Sequence, residues 1–107
     1  MRLFWNALNH VHADLVLTGH EHSYARFTAM TWDGRVAAGG RGIRQIVVGT
    51  GGRSVLPFTD PPRAGTRHRD DQHFGVLRLT LREGGWSSSC HRTEGTVDDG
   101  VAAGCWT

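Results

Sequence analysis

The residues best suited to chemistry are His20 and His22, one residue apart and preceded by Gly19. Neutral imidazole is the commonest protein ligand for zinc, and it also suits iron and manganese. Two imidazoles on one tight turn can reach two different ions. Two ions about 3.5–4 Å apart can clamp a phosphoryl group, acidify a bound water and stabilise a leaving oxygen. The spacing alone also describes two solvated histidines in a surface loop, so the surrounding chain has to decide. Glu21, between them, points away from both if the turn is extended and reaches a pocket rim at best.

Other titratable groups carry weaker signals. Asp14 is placed to cap or pair at a strand start, and His10 and His12 fall on or after the polar side of a helix, where exposure is expected. His68 and His73 flank Arg69, Asp70 and Asp71, a polar stretch that either contacts a phosphate or is simply solvated. Thr50-Gly51-Gly52-Arg53 lacks the lysine and the spacing of a P-loop. Cys90-His91 with Cys105 matches no standard zinc-finger spacing.

The elements that must position the histidines follow from periodicity. Leu15-Val16-Leu17 is a short apolar run ending at Gly19, the pattern of a strand buried on both faces. Gly19 can adopt backbone conformations that other residues avoid, so a sharp turn is expected there. That turn puts the imidazoles beyond the carboxyl end of a buried strand, where open α/β sheets place ligands. Upstream, Leu3, Phe4, Ala7, Leu8 and Val11 make one helical stripe that ends near His12-Ala13. Helix and strand together read as the second half of a βαβ unit whose first strand is absent.

Downstream, residues 24–32 favour strand, and Asp33-Gly34 offers a tight turn. Residues 44–48 read as the next strand, and 54–71, with three prolines, as one long connection. Residues 74–81 alternate, with Leu77, Leu79 and Leu81 on one face. Glu83-Gly84-Gly85 turns the chain into a strand over 86–92, and the glycine- and aspartate-rich remainder, 93–107, reads as irregular.

Gly19-His20-Glu21-His22 followed by Ser23-Tyr24-Ala25-Arg26-Phe27 resembles the last metal-binding motif, Gly-His-x-His, of the calcineurin-like metallophosphoesterases. The purple acid phosphatase-like branch is the most similar, although Ala25 stands where that branch usually has Glu. Residues 42–52, residues 74–81 and the tail from Gly95 to Gly100, with Cys105 near the end, are similar to further stretches of the branch in the same order. The resemblance implies the carboxyl-terminal part of a four-layer α/β/β/α sandwich, an α/β fold of mixed α+β character. It implies phosphoric ester hydrolysis at a dinuclear centre of divalent or trivalent iron, zinc or manganese, with a metal-bound hydroxide as nucleophile. His20 would ligate one ion and His22 the other. Gly19, Tyr24 and Arg26 would support or line the site.

The family's remaining ligands come from an Asp with a nearby His, a Gly-Asp pair, an Asn-His pair and a further His, and nothing in the 107 residues resembles those motifs. The expectation is a single portion of a domain, residues 1–107, whose upstream half is absent. Its partners would be a phosphate ester and either that missing half or a second copy, since an unpaired sheet edge invites association. The competing readings are a catalytically inactive remnant that serves as a metal-binding or interaction module, and an ordinary α+β domain in which the histidines are incidental.

Bulk properties narrow this further. A net charge of +2 with scattered arginines does not argue for nucleic acid. No apolar stretch approaches the ~20 residues of a membrane span. Asn6, Asn9 and His10 interrupt any signal-peptide core. Relatives in the family are mostly exported, so the compartment stays open. Cys90 and Cys105 could pair across a loop of about 15 residues, a closure worth ~3 kcal/mol on a chain-entropy model.

Overall fold

The computed structural model describes residues 2–52, 54–92 and 95–104. It is a mixed α/β structure with two sheets and, among the described residues, one α-helix. The helix α1 (Arg2–His10) leads into β1 (Leu15–Thr18), which is followed by β2 (Tyr24–Phe27). A short 3-10 turn, Ala38–Gly40, precedes β3 (Arg44–Val48) and β4 (Thr66–Asp70). A second group follows: β5 (Gly75–Arg82), β6 (Gly85–Arg92) and β7 (Gly95–Gly104). The first four strands form a sheet in the order β1-β3-β2-β4, and the last three form a meander. No helix among the described residues is long and apolar enough to cross a membrane.

The first sheet is held by β3. It pairs parallel to β1, with Leu17 opposite Ile46, and antiparallel to β2, with Tyr24 opposite Val48. Residues alternate between its faces. Tyr24 and Ile46 point to the second sheet and are buried with Trp86 and Cys90, with Leu15, Val48, Leu77, Leu79 and Ala103 packed around them. Ala25, Phe27 and Val47 point the other way and form a smaller cluster. The two sheets therefore share one core through one face of each.

Thr50 clamps the sheets together. Its hydroxyl donates to the Gly75 carbonyl at 3.1 Å, while the Gly75 amide donates to the Thr50 carbonyl at 2.9 Å.

Several expectations are corrected here. β1 is not buried on both faces: it is one of the two outer strands of its sheet, and Leu17 is 46% exposed. Of the helical stripe, Leu8 alone turns inward among the described residues. Leu3, Phe4 and Val11 are exposed, while Trp5 and Leu8, three residues apart, are half-buried. The large indole turns that side of α1 inward. The helix stops through backbone geometry. His12 takes φ 55°, its amide bonds to the Asn9 carbonyl, and the Ala13 amide bonds to the Leu8 carbonyl, which is the Schellman pattern.

The strand read over 24–32 ends at Phe27. The Asp33-Gly34 turn forms, with Gly34 at φ 89° and the Thr31 amide bonded to the Arg35 carbonyl, but its arms make only isolated bridges.

The connection read over 54–71 contains β4, and the tail read as irregular contains β7, paired along β6 with two register shifts. β4 lacks an apolar pattern because it is an outer strand, where charged side chains such as those of Arg67 and Arg69 keep other chains from pairing. β5 alternates as read at Leu77 and Leu79, although Leu81 is exposed near the hairpin tip. Cys105 lies outside the described residues; Cys90 is buried in the core.

Candidate metal centre

Residues 19–23 connect β1 to β2 across the carboxyl end of β3, since Thr18 is opposite Val47 and Tyr24 opposite Val48. The loop must therefore pass over the end of the central strand, and Gly49 makes the room. A methyl group at residue 49 would stand 1.8 Å from the Glu21 carbonyl oxygen and 2.7 Å from its carbon. The Gly49 amide also donates to the Ser23 carbonyl at 3.0 Å.

The turn itself differs from expectation. His20, not Gly19, takes the left-handed conformation, with φ 73°. The Glu21 amide donates to the Gly19 carbonyl at 2.9 Å, so His20 sits at the centre of a γ-turn of the rarer, positive-φ hand. Histidine is one of the few non-glycine residues enriched in that region, yet the conformation costs energy and tends to accompany function. The Ser23 amide donates to the Glu21 carbonyl at 2.8 Å, closing a second three-residue turn around His22. Two successive tight turns set the two imidazoles.

They are held differently. His22 is half-buried and anchored twice: its Nδ1 is hydrogen bonded to the Ser54 hydroxyl at 2.7 Å, and its carbonyl accepts from the Leu56 amide at 2.9 Å. With Nδ1–H donating to the hydroxyl, Nε2 keeps the lone pair a metal needs, and Ser54 fixes the ring as outer partners of ligating histidines do. His20 is exposed, and no hydrogen bond to a described residue restrains its ring. A neutral imidazole is the donor type that zinc and iron take. Two imidazoles do not complete a site, and among the described residues no group of three or more His, Cys, Asp or Glu side chains could hold an ion.

The other expected site residues are placed as follows. Gly19 needs no special conformation, and a methyl there would make an ordinary 3.7 Å contact with the Val48 carbonyl. Glu21 is exposed, as a rim residue would be. Tyr24 is 1% exposed, its ring in the core between the sheets and tilted against that of His68 at 5.8 Å. Arg26 is two residues further along β2, roughly 7 Å down the strand and away from the loop. His10 and His12 are exposed as expected, and the Asp14 carbonyl accepts from the Arg44 amide where β1 meets β3. His91 Nε2 is hydrogen bonded to the Ser89 hydroxyl at 2.6 Å. Arg53 lies outside the described residues.

A second polar group occupies the same end of the sheet. Asp70 is opposite Tyr24, and its carboxylate accepts from His73 Nδ1 at 2.8 Å and from the Gln72 and His73 amides. Arg92 Nη1 lies 2.7 Å from His73 Nε2. A guanidinium can only donate, so Nε2 accepts and the proton sits on Nδ1, facing Asp70. Burial raises the Asp70 pKa, but the His73 bond and the two amides outweigh it and hold the carboxyl below the usual range. His68 and His73 are therefore not equivalent members of a solvated stretch: one stacks on the core, the other ties β4 to the end of β6. Sequence reasoning missed Ser54, which sits in a proline-rich connection with no pattern of its own.

No protein-family model, curated protein or solved structure matches this chain.

Proposed function

We propose that this chain supplies the Gly-His-x-His segment of a phosphoric ester hydrolase with a dinuclear metal centre, of the calcineurin-like, purple acid phosphatase-like kind. Four ordered stretches of sequence that resemble the family support the reading, from residues 19–27 to the tail. The observation that carries it is the setting of His22. A half-buried histidine beyond the carboxyl end of a parallel strand pair, its Nδ1 hydrogen bonded to a serine hydroxyl, supports its reading as a ligand.

His20 and His22 would hold iron, zinc or manganese, and the ions would supply Lewis acidity toward phosphoryl oxygens and an acidified water. The chain's own residues do the rest. Ser54 fixes the His22 ring, Gly49 lets the loop lie on β3, and Thr50 ties that end of the first sheet to the second. Further donors would come from polypeptide outside these residues. On this reading, the two sheets and α1 are part of a four-layer α/β/β/α sandwich, and the exposed apolar side of α1 and the outer edge of β1 are where the remainder packs.

A second reading is a metal-binding or interaction module without turnover, favoured because among the described residues no group of three or more His, Cys, Asp or Glu side chains could hold an ion.

The test is cobalt(II) titration of the purified chain, followed by visible absorption and by turnover of a chromogenic phosphate monoester. His20→Ala/His22→Ala is the control. Saturable cobalt binding that the control lacks supports metal ligation by these histidines. Added turnover supports the hydrolase outright; binding without turnover is what both readings expect of these residues alone, because the hydrolase draws its further donors from outside them. Equal cobalt binding by chain and control would remove metal ligation by these histidines, and with it the hydrolase and the metal-binding module.

A further inference from the structure

At the end of the first sheet opposite the histidines lies a cavity of about 160 Å³. Phe27 closes β2 there and Ile43 precedes β3, while Gln45 of β3 also lines the cavity, so the three residues from Ile46 to Val48, roughly 10 Å, separate it from the end of β3 under the candidate metal centre. Trp5 of α1 and Trp32 of the Asp33-Gly34 turn line it together with Phe27, and buried Ile43 also contributes. Three aromatic rings from three separate elements therefore converge on one small space. Thr31 and Gln45 add polar groups beside the rings, so the lining is mixed. A space of about this size accommodates a single six-membered ring, and the aromatic walls favour a flat guest by offset or edge contacts.

One lining residue among those described is ionisable. Arg63 places its guanidinium carbon 4.7 Å from the centre of the Phe27 ring. The stacking holds the cation at the cavity mouth and limits the side-chain freedom lost when a ligand arrives. No acidic side chain is among the described lining residues to neutralise it. A ring-sized aromatic space with one pre-positioned guanidinium is complementary to a flat ring that carries one carboxylate, which the planar fork can bind with two parallel hydrogen bonds.

We propose that this cavity is a binding site for a small planar aromatic carboxylate, its ring among Trp5, Trp32 and Phe27 and its carboxylate on Arg63. The site is independent of the histidines and of the hydrolase reading. It also gives α1 a role: Trp5 is turned inward to form a wall, which leaves the rest of the apolar stripe outside.

The probe is benzoate, followed by the indole N–H resonances in nitrogen-15 correlation spectra. Trp5→Phe and Trp32→Phe assign the two wall resonances, and Trp86, buried in the core between the sheets, serves as an internal reference. Benzoate is expected to move the Trp5 and Trp32 signals saturably and to leave Trp86 in place. Benzyl alcohol should bind about tenfold more weakly, the loss expected when a charge-assisted pair becomes a neutral one. Arg63→Gln, at an exposed position, should bring benzoate down to the level of benzyl alcohol without changing benzyl alcohol itself. The proposal is overturned if benzoate gives no saturable shift at Trp5 or Trp32, if benzylamine binds as well as benzoate, or if Arg63→Gln leaves benzoate affinity unchanged while the Trp86 signal stays at its native position.

Discussion

The carboxyl end of the first sheet and its outer edge are only a few residues apart in sequence, yet they are built on opposite physics. At the carboxyl end the chain is tied by directed polar contacts: His22 to Ser54, the Leu56 amide to His22, Thr50 to Gly75, and Asp70 through His73 to Arg92. Loops that would otherwise be loose are fixed there, because each contact needs a particular geometry. At the outer edge, α1 and β1 present Leu3, Phe4, Val11 and Leu17 to the surroundings with no charge among those four. Apolar contact is non-directional, so this edge accepts any adequate cover, whereas the carboxyl end accepts one arrangement. The first holds loops in one shape; the second leaves apolar surface exposed.

The sharpest way to break the carboxyl end is Gly49→Ala. The new methyl collides with the Glu21 backbone, not with a side chain that could swing aside, so the loop carrying both histidines must lift from β3. A loss of about 2–3 kcal/mol in unfolding free energy is expected, read from the denaturant midpoint. Gly19→Ala is the comparison within the same loop and should change stability by less than about 0.5 kcal/mol, because its methyl meets only ordinary contacts. Equal effects at the two glycines would mean that the loop does not rest on β3.

Asp70→Asn tests the polar ties by their pH dependence. The Asp70 carboxyl titrates below its usual value in the folded protein. Its contribution is therefore fully present above the unfolded-state pKa near 3.9 and is lost as pH falls through the lower folded value. The native chain should exceed the variant by about 1 kcal/mol near neutral pH, a figure kept small because solvent reaches His73, whose side chain is 40% exposed. The gap should close once the pH is below the folded pKa. A gap that persists unchanged in acid would show that Asp70 acts through shape alone.

The same contrast explains which features the sequence makes legible. The Leu15–Leu17 run, the 44–48 strand, the alternating Leu77 and Leu79 and the hairpin at Glu83-Gly84 all announce themselves through apolar period or turn chemistry. β4 and β7 do not. Thr66–Asp70 has the composition of a loop and becomes a strand only because β2 offers hydrogen-bonding partners, and Gly95–Gly104 owes its form to β6 in the same way. Strand formation there is a property of the neighbour, invisible in a local window. At the candidate site the two histidines stand out by type and spacing. Ser54 does not, being 32 residues from His22 and brought to it only by the folded connection. The expected glycine turn is reassigned to His20, since a left-handed φ is open to histidine as well as glycine and the hydrogen bonds of the loop select the residue that takes it.

The smallest expected effect on stability belongs to the outer edge. Leu17→Lys puts a charge on the exposed outer strand, replacing a side chain already 46% open to the surroundings. Little packing is lost, so unfolding free energy should stay within about 0.5 kcal/mol of the native value. Association should respond much more. An apolar outer strand with unpaired amides and carbonyls is a template for pairing, and a single inward or edge-placed lysine is the device natural sheets use against it. Sedimentation over a range of concentrations should show self-association of the native chain that Leu17→Lys reduces, while Gly49→Ala, at the other region, alters stability. If both variants changed association alike, the edge would hold no special place and self-association would be a consequence of general unfolding. If Leu17→Lys alone reduced it with stability unchanged, the two regions would be separable, one holding a loop in shape and the other receiving a partner.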